Sequence, residues 1–285
     1  AAIRASAPGV PVGITVAMIP ANHPGVNIGR RHLPSGAAFP NGPNWGTDVF
    51  IPIDWLIGGE KMAGQGWRML MECLAAGRAI SLPSSATAGA KAMLRVTSAY
   101  ARIRRQFGLP VGRMEGIEEP LARIVETAYV NEAARGVTAS MVSRGEKPSV
   151  ISALMKYQTT ERLRRAVNDA MDIHGGRAIC DGPTNYLQSA YEMVPVGITV
   201  EGANILTRTL ITFAQGALRS HPYLIREIQS AQNPDPAKGF ELFEDAFLSH
   251  IAHSVSNMAG AFFHNITFGF FAPAPSAVAD LKPYY

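Results

Sequence analysis

Three features of the sequence predict a mainly α-helical protein preceded by a little β structure. Apolar residues recur at three-and-four spacing from Gly66 onward. The stretches that carry this spacing are joined by short connections marked with Gly and Pro. Only residues 1 to about 60 contain short β-branched runs. The 285 residues are 47% hydrophobic and 17% charged, which suits roughly one to two globular domains with a real core.

Residues 13–20 form a β-branched run followed by the turn signals Asn22, Pro24 and Gly25, and residues 48–54 form another between Gly46 and Gly58. Two or three strands cannot close a barrel, so residues 1–60 are expected to be the C-terminal part of a β-barrel-like middle domain whose partners precede residue 1. The first expected helix carries Met93, Leu94, Thr97, Tyr100, Ala101 and Ile103 and stops at Phe107-Gly108-Leu109-Pro110. A second runs from about 118 to 144 and ends at Gly145. A third starts at Pro148-Ser149, carries Leu163, Ala166, Val167, Ala170 and Met171 on one face, and ends at His174-Gly175-Gly176. A fourth starts near Glu201-Gly202 and passes through Ile205, Leu206, Leu210, Ile211 and Phe213 to about Arg219. Short connections make residues 61–220 an antiparallel four-helix bundle. Residues 221–285 begin a helical C-terminal extension with one more helix at about 240–263.

A nucleic-acid protein would gather its basic residues into a stripe with aromatic stacking positions. Here the net charge is only +4, and the densest clusters, Arg102/Arg104/Arg105 and Arg162/Arg164/Arg165, lie in amphipathic segments. Solvated helix faces or the binding of a polyanionic small molecule both suit them, and nucleic acid is not expected. Cys73 and Cys180 give neither a disulfide framework nor a metal spacing, so the chain reads as cytoplasmic with reduced thiols and no metal. No run approaches about 18 consecutive apolar residues, so no transmembrane helix is expected. Residues 259–279 are the most apolar late segment. They read as a buried helix and loop, with an interfacial patch, and so peripheral contact with the inner membrane, as the alternative.

Three local patterns carry chemistry. Glu201 stands at the entrance of an apolar helix, directly before Gly202, where the simple reading is an acid stabilised by the helix dipole. Its flank, residues 194–200, holds no charge, so the carboxylate is expected to be poorly solvated, the setting in which a general base works near neutral pH. The pair Gly175-Gly176 reads as a helix C-cap or as close backbone approach to a phosphate. His174 reads as a packed or capping residue. The stretch from Tyr100 to Gly108 ends a helix with basic residues, which suit the dipole and also suit pyrophosphate, with Phe107 able to pack on an adenine or ribose.

Taken in order, Arg-x-x-Phe-Gly, Gly-Gly and Glu-Gly resemble the acyl-CoA dehydrogenase family. Gly64-x-Gly-Trp67 followed by Gly77-Arg78 resembles the first helix of that family's C-terminal domain. Residues 200–208, 213–219 and His221-Pro222 look closer still to the long bacterial fatty-acid-degradation branch, which carries an extra C-terminal domain. The general resemblance covers about residues 10–219, and the branch resemblance extends to the end. It implies α,β-dehydrogenation of a fatty acyl-CoA to the trans-2-enoyl-CoA, the first step of β-oxidation, with FAD as cofactor and electron-transfer flavoprotein as electron acceptor. Glu201 would take the α-proton, and its backbone N–H would help polarise the thioester carbonyl. Arg78 and Gly202 would bind substrate. Arg104, Gln106 and Phe107 would contact FAD of a neighbouring subunit, as would Asp172, Gly175 and Gly176, which implies a homo-oligomer.

Several positions depart from the family's pattern. Asp172 and Glu115 stand where Gln is usual, Ala203 where Thr is usual, and Val200 where Tyr is usual. The family's N-terminal part is expected before residue 1, so the chain reads as a fragment, inactive alone. An acyl-CoA oxidase, passing electrons to O₂, and a non-catalytic helical scaffold of the same ancestry are the alternatives.

Overall fold

The computed structural model describes residues 2–4, 13–35, 41–209 and 216–272. The described residues fall into two compact units divided between Phe213 and Ala214.

The first unit is built on three long helices, α1 (Gly66–Ile103), α2 (Glu115–Ser143) and α3 (Ser149–His174). Each pair among them is in contact, α1 with α3 most extensively. Tyr100, near the end of α1, stacks on His174 at the end of α3 with ring centroids 4.1 Å apart. The two C-termini therefore lie together, and α2 runs back between them. Small side chains allow this closeness: Ala79, Ala86, Ala90 and Ala101 of α1 and Ala153, Ala166 and Ala170 of α3 are all buried. At Gly89 an added Cβ would stand 2.9 Å from Leu163 Cδ1. Four buried threonines are reconciled with this apolar interior by donating back along their own helices. Thr87, Thr138, Thr159 and Thr160 each bond the carbonyl four residues earlier.

The fourth member of the bundle is α5 (Gln188–Thr199), which packs on α3 and touches α1; it follows the short α4 (Gly176–Ile179). This helix is additional to the fourth one expected from Glu201 to Arg219. The described part of that stretch is helical at α6 (Asn204–Leu206), continues as a π-helical turn over residues 207–209 and is helical again at α7 (Gly216–Ser220), and residues 210–215 lie outside the described residues. The helical pattern begins one segment earlier than expected because α5 contains Pro195 and Gly197, which mask it.

The β structure consists of two-stranded antiparallel pairs: β1 (Ala2–Arg4) with β2 (Ile14–Val16), and β3 (Val26–Ile28) with β4 (Asn44–Gly46). No barrel closes among the described residues. β2 lies in the expected run. Residues 48–54 do not form a strand: Asp48 has φ 49° and Pro52 precedes a 3₁₀ turn at Ile53–Trp55. β2 docks on the start of α1, where Gly64 N–H donates to the buried Thr15 hydroxyl at 3.0 Å. A Cβ on Gly66 would lie 2.5 Å from Ile14 O, which explains the Gly-x-Gly spacing ahead of α1.

The first helix ends at Ile103, before its expected stop. Arg105–Gln106 (β5) and Leu109–Pro110 (β6) pair as a hairpin whose turn is Phe107-Gly108, both with positive φ. That is the two-residue hairpin turn matching strand twist, so the Phe-Gly pair reverses the chain rather than capping a helix.

The second unit contains α7, α8 (Leu224–Ala231) and α9 (Pro236–Ile266). Asp235 caps α9 by accepting from the N–H groups of Ala237 and Lys238, with Pro236 in the first turn. The late apolar segment departs from the buried reading: within its described part Phe262, Phe268, Phe270 and Phe271 are exposed, Phe268 by 98%. Among the described residues no helix is long and apolar enough to cross a membrane.

Ile124 is fully buried in the core that joins α1, α2 and α3. Ile124→Ala is expected to destabilise the protein by about 2–5 kcal/mol, read as a fall in the urea unfolding midpoint.

Candidate active site

The α5 helix ends at Thr199 and the chain turns sharply through Val200, Glu201 and Gly202. Glu201 has φ 55° and Gly202 φ 89°. The first is a left-handed conformation that costs a non-glycine residue on the order of 1–3 kcal/mol and persists only where the surroundings enforce it. At Gly202 a side chain would be strained by its φ and would also sit 3.3 Å from Thr207 Oγ1 and 3.5 Å from Arg78 Nη2.

Arg78 of α1 is brought to this turn and is only 5% exposed. Burial lowers its affinity for a proton, and the neighbouring Glu201 carboxylate opposes that effect. Arg78 Nε and Glu201 Oε2 are both buried without a hydrogen-bond partner. Such orphaned buried groups are uncommon, and two facing one turn mark a place built for something else.

Lys156 of α3, 0% exposed, lies beneath the turn. Its Nζ donates to Ile198 O at 2.9 Å, Gly202 O at 2.7 Å and Asn204 Oδ1 at 2.6 Å. Asn204, also buried, donates in turn to Thr160 Oγ1 and Glu161 Oε1. Neither Lys156 nor the fixing role of Asn204 is expected from the motifs. The signal was present, since Lys156 shares the helical face of Thr160, Leu163, Val167 and Ala170, where a charge is out of place.

An apolar cavity of about 340 Å³ lies between α1, α3 and α5, lined among others by Leu82, Met93, Leu163, Val167 and Val196, and it reaches Val200, next to Glu201. A larger hollow of about 640 Å³ beside Arg164, Tyr191 and Glu192 includes neither Glu201 nor Arg78. The smaller, apolar one is the cavity that belongs to the turn.

The remaining predicted residues gather at the far end of the bundle. Arg104, Gln106 and Phe107 are exposed on and beside the hairpin, Phe107 by 93%. Asp172, Gly175 and Gly176 are exposed at the end of α3, and an added Cβ at either glycine would meet nothing within 4 Å. From Arg78 to Arg104 the chain climbs α1 by roughly 39 Å. The structure therefore brings together Glu201, Gly202 and Arg78, separately groups the other six, and keeps the two groups apart. Glu115 begins α2, and Ala203 is exposed beside the turn.

His174 packs as a structural residue. Its Nδ1 faces Ala170 O at 2.7 Å, so that nitrogen carries the proton and Nε2 accepts from the Tyr186 hydroxyl at 2.6 Å. Among the described residues no group of three His, Cys, Asp or Glu side chains could hold a metal, and both cysteines are free and exposed.

Comparison with known proteins places this geometry. A family model described as the acyl-CoA dehydrogenase C-terminal domain matches residues 64–214, more than half of the chain. The chain belongs to the acyl-CoA dehydrogenase family. A second model, for the bacterial type of acyl-CoA dehydrogenase C-terminal region, matches residues 218–285. Over 87 residues the chain is 59% identical to the protein named HemX of Proteus mirabilis, covering 30% of this chain and 51% of HemX. Over 167 residues it is 32% identical to the probable acyl-CoA dehydrogenase FadE10 of Mycobacterium tuberculosis, covering 58% of this chain and 25% of FadE10. An acyl-CoA dehydrogenase structure from Geobacillus kaustophilus shares the fold, with TM-score 0.65 and 23% identity over 71% of this chain and 52% of that one. The chain thus spans about half the length, or less, of the relatives it matches. The turn at Glu201 lies near the end of the first matched region, and the hairpin lies within its first third.

Burial holds the His174 imidazole below its ordinary value of 6.5; the Ala170 carbonyl opposes this and Arg177 adds to it. The unfolded imidazole therefore binds a proton more tightly than the folded one. The stability that neutral His174 provides is complete above about pH 6.5 and is lost as pH falls toward the depressed folded value. The difference in unfolding midpoint between wild type and His174→Asn is expected to narrow on acidification from about pH 8 to about pH 5. A gap that widens on acidification contradicts this assignment.

Proposed function

We propose that this chain is the C-terminal part of an FAD-dependent acyl-CoA dehydrogenase that converts a fatty acyl-CoA to its trans-2-enoyl-CoA in the first step of β-oxidation. The observation that carries the reading is the buried, unpartnered Oε2 of Glu201, set on a strained turn beside Arg78 and at the mouth of an apolar cavity.

Glu201 acts as the general base. Its carboxylate takes an α-proton of the thioester, and the electron pair released forms the α,β double bond as a hydride leaves the β-carbon. The Glu201 N–H, which no described residue engages, is placed to donate to the thioester oxygen as negative charge develops there. Arg78 stabilises the charged base from the opposite side of the turn, and Gly202 keeps the space between them open. The apolar cavity suits alkyl chain, not a polar substrate.

The chemistry that FAD supplies when bound is acceptance of the β-hydride. The residues present fit such a dinucleotide. Gly175 and Gly176 leave backbone uncovered, the tight turn holds the Phe107 ring clear of the surface, and Arg104 and Gln106 flank it. Asp172 is an acceptor only, so it suits a hydroxyl of the cofactor better than a phosphate. The roughly 39 Å of helix between the two groups is longer than one dinucleotide reaches. That separation supports a homo-oligomer in which the hairpin end serves the flavin of a neighbouring copy. Electron-transfer flavoprotein is the onward acceptor in this reading, and the cytoplasm its location, with peripheral contact at the inner membrane open to the exposed aromatic segment of the second unit.

The test uses the full-length protein and its flavin spectrum before and after palmitoyl-CoA. Wild type is expected to bleach, and Glu201→Gln to keep its flavin while bleaching roughly 10²- to 10⁴-fold more slowly. A variant that bleaches as fast as wild type removes Glu201 from the role of base.

A further inference from the structure

The geometry points to Lys156 as a positioning residue for Glu201, one that fixes the base by clamping the backbone on both sides of it. This rests on the reading of Glu201 as the base.

The clamp is made of three bonds from one ammonium. Ile198 lies three residues before Glu201, Gly202 one after it and Asn204 three after it, and Lys156 Nζ donates to an oxygen of each. These bonds use every N–H the ammonium has, so Lys156 has none left for a substrate and is not a nucleophile. Asn204 is itself tied to α3 through Thr160 and Glu161, and the Thr207 hydroxyl adds a second donor to Gly202 O at 3.2 Å. Together these bonds fasten the turn to α3. They account for Glu201 keeping a left-handed backbone that a non-glycine residue otherwise avoids. A carboxylate carried on so restrained a backbone meets the substrate α-carbon from one direction only.

The clamp depends on the charge of Lys156. A neutral amine has two N–H groups and a lone pair, so it cannot serve three oxygen acceptors, and the lone pair would face one of them. The charged groups that face Lys156 are Arg78 on α1, Glu201 in the turn and Glu161 on α3. Burial first and Arg78 second pull the Lys156 pKa down to about 8, against the opposing Glu201 and Glu161. The clamp therefore holds below about pH 8 and loosens above it.

The test uses the full-length flavoprotein and reads the single-turnover rate of flavin reduction by palmitoyl-CoA from about pH 6 to about pH 10, in wild type, Lys156→Gln and Glu201→Gln. The wild-type rate is expected to fall roughly tenfold as pH passes about 8, and Lys156→Gln to be roughly 10- to 100-fold slower near pH 7. The variant should also lack the alkaline fall, with half-saturation by palmitoyl-CoA changed less than about threefold. A merely structural lysine would lower the unfolding temperature and leave the shape of the pH profile unchanged. A wild-type rate level to about pH 10, or an alkaline fall that persists in Lys156→Gln, overturns the proposal. Should that variant lose its flavin, Lys156→Arg decides, because its side chain stays charged throughout the range: loss of the alkaline fall upholds the clamp and an unchanged fall overturns it. If Glu201→Gln reduces flavin as fast as wild type, the base reading fails and the clamp has nothing to position. If Glu201→Gln is inert while Lys156→Gln matches wild type at every pH, the base reading stands and the clamp alone fails.

Discussion

A lysine ammonium with no exposure to water is the constraint around which this end of the molecule is arranged. Removing such an ion from water is costly, and a buried lysine persists only when its donors are all satisfied. The oxygens that satisfy it come from the end of α5, from the turn after it and from Asn204, none of which is on α3 itself. The requirement thus joins separate parts of the chain at one atom. A short helix containing a proline and a glycine is held against the bundle, and the turn that follows takes a conformation it would not choose in isolation. Because Arg78 of α1 is buried against the same turn, the site contains two cations and one unpartnered carboxylate oxygen, and its electrostatics are fixed by the fold before any ligand arrives.

Much of the scaffold was legible because long helices announce themselves. The starts and stops of α2 and α3 follow from apolar spacing and from Gly145, Ser149 and Gly175. Short or interrupted elements were not legible. Pro195, Gly197 and the β-branched residues around them hid α5, since local propensity argues against a helix that only packing and Lys156 sustain. The hairpin at 105–110 was read as a helix stop because Phe-Gly serves either purpose, and only the positive φ at Phe107 separates them. At the site, Glu201 could be singled out by its chargeless flank and Arg78 by its place in a motif. Lys156 lies more than 40 residues upstream in sequence, and its partners are mostly backbone carbonyls, which no residue pattern displays. What a sequence could have offered was the anomaly of a charge on the buried face of α3.

The bundle also explains why the recognisable motifs fall into two sets. With α1 and α3 parallel and their C-termini stacked through Tyr100 and His174, anything at those C-termini is a full helix length from anything at the end of α5. Glu201 and Arg78 belong to one end, the hairpin and the Gly175-Gly176 pair to the other. Close packing through alanine and glycine makes this separation rigid, because helices that interlock at Gly89 and Leu163 have no freedom to slide. A reaction at one end and a binding surface at the other therefore cannot be brought together by bending one chain. In the proposed reading they become a single site only when copies of the chain are set side by side. In that reading the length of α1 is a functional dimension, since it sets how far apart the proposed base and the proposed cofactor-holding hairpin of one copy must lie.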